Sequence, residues 1–199
     1  MKNSIKISIL LSALFGITIA ARAQTTTGAA APSTSSSGGT ILSIGADGGF
    51  SIGKFKDNSK WNLGGSLQAD IPVADNIYFT ANAGYDNFFG KKNVDGTGLN
   101  APAIHLLPVK AGIKYFPIGL LYIQGDAGAA FALNKSKVDY DKTAAFIYVP
   151  QVGVQLPLGG KSYIDAGVYY EASTKFTTGD DDSKINFLGA RIAYAFSVK

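Results

Sequence analysis

Few residues in this 199-residue chain could carry chemistry. His105 is the single histidine and there is no cysteine. That excludes multi-histidine and thiolate metal sites, a cysteine nucleophile and a disulfide framework. The residues after His105 are Leu106, Leu107 and Pro108, with no serine two positions on for a histidine to activate. Gly179-Asp180-Asp181-Asp182-Ser183 offers the hard oxygen ligands that calcium takes. It lacks the ligand spacing and the glutamate of an EF-hand loop, so it reads as a solvated acidic turn. Asp95-Gly96-Thr97-Gly98 has the composition of a phosphate cradle, but no helical pattern follows it and turn chemistry is the simpler reading. The expectation is therefore no catalytic residue, no metal site and no cofactor.

The other charged residues to consider are Asp47, Asp70, Asp86, Lys110, Lys114, Asp126, Asp165, Glu171 and Arg191. Each falls on the more polar face of a segment whose opposite face is greasy. The chemistry open to such a set is mutual pairing, because an isolated charge shut away from water is strongly unfavourable. They read as a charge network inside a lumen.

The elements that would position them are eight segments of period two: Ile41–Ile52, Trp61–Ile71, Ile77–Phe88, Ala103–Phe116, Leu120–Leu133, Ala144–Leu156, Ser162–Ser173 and Asn186–Val198. In the last, Leu188, Ala190, Ile192, Tyr194 and Phe196 share one face, and Phe187, Gly189, Arg191, Ala193 and Ala195 the other. At about 11 to 14 residues these segments exceed the usual strand and match a tilted strand crossing a bilayer. Pro108 and Pro150 interrupt two of them, and a bulge is expected at each. The connections alternate between long polar loops (53–60, 89–102, 134–143, 174–184) and tight turns (73–76, 117–119, 157–161). Long loops at one end and short turns at the other are the plan of an outer-membrane barrel.

The N-terminus supports export. Lys2 and Lys6 precede a mostly apolar run from Ile7 to Ala20, and Ala21-Arg22-Ala23 reads as a small-x-small cleavage site. Residues 1–23 are thus expected to be a secretory signal peptide, 24–40 a flexible linker on the periplasmic side, and 41–199 the barrel. The chain has 18 basic and 14 acidic residues. Without Lys2, Lys6 and Arg22 the balance is 15 to 14, net +1, and nucleic-acid binding loses its electrostatic support.

Alternation alone fits a soluble eight-stranded barrel of lipocalin type as well as a membrane barrel. Three features favour the membrane. The more polar faces are rich in short side chains, which a narrow lumen can hold. Their charges include both signs. Aromatics lie near both ends of the greasy faces: Trp61, Tyr85, Phe131, Phe146, Tyr148 and Tyr170 towards the long loops, and Phe79, Tyr115, Tyr194 and Phe196 towards the short turns. Amphipathic rings favour the two interfaces of a bilayer.

From Ile41 to Lys199 the chain resembles the small eight-stranded outer-membrane barrels of Gram-negative bacteria, the OmpA/OmpX-like and "outer membrane beta-barrel domain" proteins. In the closing strand, Gly189-x-x-Ile192-x-Tyr194-x-Phe196 is similar to the glycine-plus-hydrophobics signal read by the barrel assembly machinery. The departure is that Ser197-Val198-Lys199 follow the last aromatic, where many relatives end. The resemblance implies an all-β, eight-stranded antiparallel up-and-down transmembrane barrel in the cell outer membrane. Its partners would be outer-membrane lipid, the assembly machinery during insertion, and an extracellular ligand reached by the long loops. The implied work is structural or surface interaction, non-enzymatic, with the lumen plugged by side chains. A narrow porin-like channel for ions or small solutes is the alternative. A lipid A-modifying enzyme is the third, since such enzymes place histidine and serine near the level of His105.

Overall fold

The computed structural model describes residues 39–57, 59–91, 101–134, 140–178 and 183–198. The signal peptide, nearly all of the linker, and the loop motifs at 95–98 and 179–182 lie outside the described residues. Eight strands follow in order: β1 (Thr40–Ser51), β2 (Ser59–Ala74), β3 (Ile77–Gly90), β4 (Ile104–Ile118), β5 (Leu121–Ala132), β6 (Ala144–Gly159), β7 (Ser162–Ser173) and β8 (Asn186–Val198). Each pairs antiparallel with its sequence neighbours, and β8 returns to β1 to close the barrel. The closing register runs from Thr40↔Val198 to Ser51↔Phe187 and sets Asp47 directly opposite Arg191. Closure removes the free edge, so every strand is hydrogen-bonded on both sides.

The two faces of each strand separate as their alternation dictates. Ile44, Leu67, Ile113, Ile123, Val152, Val168 and Ile192 point out and are exposed. Asp70, Lys114, Asp165, Glu171 and Arg191 point in and are buried. A soluble barrel would show the reverse. An outward belt of large aliphatic side chains is what lipid covers in a membrane barrel. The fold is the all-β, eight-stranded antiparallel transmembrane barrel expected from the alternation together with the short polar faces, the mixed charges and the aromatics near both ends.

The short connections are two residues or so, and their backbone demands positive φ. Asn76 (φ 60°) and Gly119 (φ 47°) supply it in two of them, and Gly159 and Gly160 (φ 109° and 61°) in the third. The expected bulges at Pro108 and Pro150 are absent. Leu107↔Phe131, Pro108↔Ala130 and Gly125↔Pro150 hold their register without slip. On the other side of each proline, the β3–β4 and β6–β7 ladders skip a few residues and resume in the same frame. Three of the four register shifts fall instead at the short-turn hairpin ends, between Pro72 and Ala74, Tyr115 and Ile118, and Pro157 and Gly159. There a proline's missing N–H coincides with a ladder that is already ending.

Candidate functional site

The lumen is the part of the molecule where polar chemistry is gathered, and two different fillings occupy it. Towards the short turns lies a charge network. Lys114, fully buried on β4, reaches Asp70 Oδ2 of β2 at 2.7 Å and Asp165 Oδ2 of β7 at 3.0 Å. Asp165 also accepts from Tyr122 Oη at 2.7 Å and Gln155 Nε2 at 3.3 Å. The Lys114 ammonium stands 4.4 Å from the centre of the Tyr122 ring. One inward cation thus ties three strands across the barrel, with its donors shared between two carboxylates and a ring face.

Midway up, Arg191 spans the closing seam. Its guanidinium donates to Ser66 Oγ at 2.9 Å and Ser43 Oγ at 3.0 Å. It stands 3.8 Å from both Asp47 Oδ1 and Asp165 Oδ1. Ser66 donates in turn to Asp47 at 2.7 Å. Of the two acids on the neighbouring strand, Arg191 takes Asp165, while Glu171 accepts from Lys110 Nζ at 3.1 Å. Neutral donors serve the other carboxylates: Thr80 and Gln124 for Asp126, each at 2.7 Å, and Asn62 for Asp86 at 3.2 Å. Gln68 links the layers by donating to Asp70 and accepting from Asn82 and Gln124. All nine charged residues therefore line one lumen. Their six carboxylates against three cations leave an acidic excess that neutral amides and hydroxyls solvate.

Towards the long loops the filling is apolar. Phe88, Ile104, Leu106, Ala130, Ala132, Ala145, Ile147, Val149 and Phe187 point inward from the strands. The connections add Phe55, from the 3-10 turn Gly53–Asp57, together with Phe176 and Ile185; Tyr140 packs against them. Phe55 and Phe187 each meet Phe88 edge to face, at 5.3 and 5.1 Å between ring centres, and Tyr140 stacks on Phe176 at 4.8 Å. The sequence reading, which treated the lumen as polar throughout, missed this plug. Its signal was present: in Asn87-Phe88-Phe89, Ile104–Leu107 and Ala144–Val149 alternation gives way to runs apolar on both faces. Between the two fillings, a cavity of about 20 Å³ lined by Asp47, Asn82, Asp86, Lys110, Tyr169 and Arg191 has room for about one water.

The ten aromatics expected at the membrane interfaces take the outer wall. Trp61, Tyr85, Phe146 and Tyr148 are exposed and Phe131 and Tyr170 half-buried towards the long loops; Phe79, Tyr115, Tyr194 and Phe196 are exposed towards the short turns. Trp61 stacks on Phe89 at 4.2 Å, and Tyr194 shares a 2.7 Å hydrogen bond with Ser162. His105 sits on this wall too. Its Nδ1 shares a 2.8 Å hydrogen bond with Tyr85 Oη and the rings stack at 6.1 Å. Its backbone N–H donates to Asn134 Oδ1 at 3.1 Å. The described hydrogen bonds of this imidazole pair it with a phenol, an anchoring contact rather than an activated nucleophile.

No protein-family model matches the chain, and no curated protein matches it in sequence. Solved structures do match in fold. The outer membrane protein AlkL in lipid bilayers aligns at 16% identity and a TM-score of 0.52, covering 87% of this chain and 97% of that one. OprG, an outer membrane protein of Pseudomonas aeruginosa, aligns at 11% identity and 0.51, covering 81% and 96%. Ail, the attachment invasion locus protein of Yersinia pestis, aligns in a phospholipid nanodisc at 20% identity and 0.52, covering 80% and 99%. The chain has the fold of the small eight-stranded outer-membrane β-barrels.

Proposed function

We propose that the protein is an integral outer-membrane barrel, non-enzymatic, that holds a closed wall across the membrane and presents its long loops outside for surface interaction. The observation that carries this reading is the double filling of the lumen. A bonded polar layer and an aromatic-aliphatic plug lie in series, and the cavity between them holds about one water. Such an interior stabilises a wall rather than a path. The loop ends support the outward role, since Phe55, Phe176 and Ile185 anchor the connections in the barrel mouth while Lys54, Lys56 and Asp57 beside Phe55 stay exposed. Insertion by the barrel assembly machinery fits the Gly189–Phe196 pattern of β8. Adhesion is in keeping with the likeness to Ail, the attachment invasion locus protein by name.

One observation favours a second reading, a narrow cation path: the acidic excess of the lumen network. Planar-bilayer recording on the refolded barrel separates the two. A closed wall gives a silent membrane at moderate voltage, and steady single-channel steps would overturn it.

A further inference from the structure

We propose that the small cavity in mid-lumen is a binding site for one water, which bridges Arg191 of β8 to Asn82 of β3 and which no ion replaces. Such a site rests on the filled lumen described above and adds an occupant to it. The cavity exists because of what β3 leaves out. Asn82, Gly84 and Asp86 line it in turn, and Gly84 brings no side chain. Beside Gly84 the β3–β4 ladder skips from Ala83↔Val109 to Asp86↔Leu106, past Pro108. About 20 Å³ is left between these residues and the inward side chains of Asp47, Lys110 and Arg191.

Two buried side chains on this lining each have an unmet hydrogen bond. Arg191 is 4% exposed, and its Nε and Nη2 donate to Ser66 and Ser43. Its Nη1 has no hydrogen-bond partner among the described residues, since Asp165 Oδ1 at 3.8 Å is too far for one. Asn82 is 6% exposed, and its Oδ1 is equally without a partner there. The orientation of this amide is fixed by its neighbours. Asp70, ion-paired with Lys114, only accepts, so Gln68 must turn Nε2 to it at 2.7 Å and keep Oε1 for Asn82. Asn82 then gives Nδ2 to Gln68 at 3.1 Å, and the oxygen is what remains for the cavity.

One occupant must therefore accept from a guanidinium and donate to an amide oxygen. Water does both. Its second hydrogen serves the Asp47 or Asp86 carboxylate on the same lining, which makes about three bonds, the usual complement of a buried water. Ions fit neither demand in full. A potassium ion would stand against Arg191 and Lys110, and it accepts nothing useful from Nη1. A chloride would stand against Asp47 and Asp86, and it has no hydrogen for Asn82 Oδ1. The site takes a neutral molecule that is donor and acceptor at once.

The test is a crystal structure of the refolded barrel grown in potassium chloride, with diffraction also recorded at long wavelength, where potassium and chloride scatter anomalously and water does not. The wild type is expected to show one density peak within hydrogen-bond distance of both Arg191 Nη1 and Asn82 Oδ1, without anomalous signal. Gly84→Ala should lose that peak. Its Cβ would lie 3.2 Å from the Gly65 carbonyl oxygen and 3.4 Å from Pro108 Cγ and Ser66 Cβ, tight without a clash, and the methyl takes the water's place. An anomalous peak of either element, an empty cavity, or a peak that persists in Gly84→Ala would overturn the proposal. Heat-modifiable gel mobility reports whether the variant folds, and the wild-type map decides even if it does not. Planar-bilayer recording bears on the closed wall and the density on the site, so the two readings fail separately.

Discussion

Lys114 shows what a single residue does in this interior. It is the fully buried cation of the lower lumen, and both Asp70 and Asp165 pair with it. Removing one partner of a buried ion pair leaves an uncompensated charge and costs about 3–5 kcal/mol. Lys114→Met should therefore lower the unfolding free energy of the micelle-refolded barrel by about that amount, read by urea titration. Adding Asp70→Asn to the same chain should recover part of the loss, because the carboxylate left without its cation is then neutral, while Asp165 keeps Arg191, Tyr122 and Gln155. Equal stability of wild type and Lys114→Met would show that the ammonium is solvated by water instead. Alternation was enough to place Lys114 on the polar face, and the assignment to a membrane barrel turned that face inward. Its partners were not legible. Pairing across a lumen depends on strand tilt and stagger, which no single segment encodes. Arg191 makes the same point: Asp165 and Glu171 are both on the adjacent strand, yet register and reach give it Asp165 and the cross-seam Asp47.

Between strands, the units that matter pair a small residue with a large one. Tyr169 of β7 stands opposite Gly189 of β8, and a Cβ at Gly189 would run into the Tyr169 ring. In the same way Gly153 and Gly167 leave room for the Tyr122 ring and hydroxyl, which holds Asp165. These glycines allow inward tyrosines to lie flat against the wall of a narrow barrel. Gly189→Val should cost about 1–3 kcal/mol of folding stability through overpacking, visible as a smaller heat-modifiable fraction after refolding. Tyr169→Ala in the same chain should restore part of it, while Tyr169→Phe, which keeps the ring, should not. Indifference of Gly189→Val to the residue at 169 would contradict this account of the β7–β8 pairing. Strand number, faces and the bounds of β7 and β8 were legible, because long alternating segments between turn signals leave few other solutions. The behaviour of proline was not. Pro108 and Pro150 are accommodated by a skipped stretch of ladder with the frame kept, and that outcome depends on neighbours rather than on the segment itself.

At the scale of the whole molecule, the two fillings of the lumen are in series and should fail independently. Phe55→Ala with Phe176→Ala empties part of the plug and should cost several kcal/mol, about 3–5 for each buried ring before any relaxation. It should leave planar bilayers silent, because the polar layer beneath still closes the barrel. Channel steps in this variant would show that the plug alone seals it. The plug escaped the sequence reading because its parts come from strand ends and loops far apart in the chain, Phe55 and Phe176 among them, and meet only once the barrel closes. The claim on which everything else depends is that the greasy faces look outward. The absence of cysteine makes it directly testable, because a spin label can be placed at one introduced cysteine at a time along 187–196. With the barrel in lipid, labels at Leu188, Ala190, Ile192, Tyr194 and Phe196 should collide readily with dissolved oxygen, and labels at the intervening positions should not. The opposite phase, or a uniformly water-accessible strand in a protein that stays soluble without detergent, would contradict the membrane barrel.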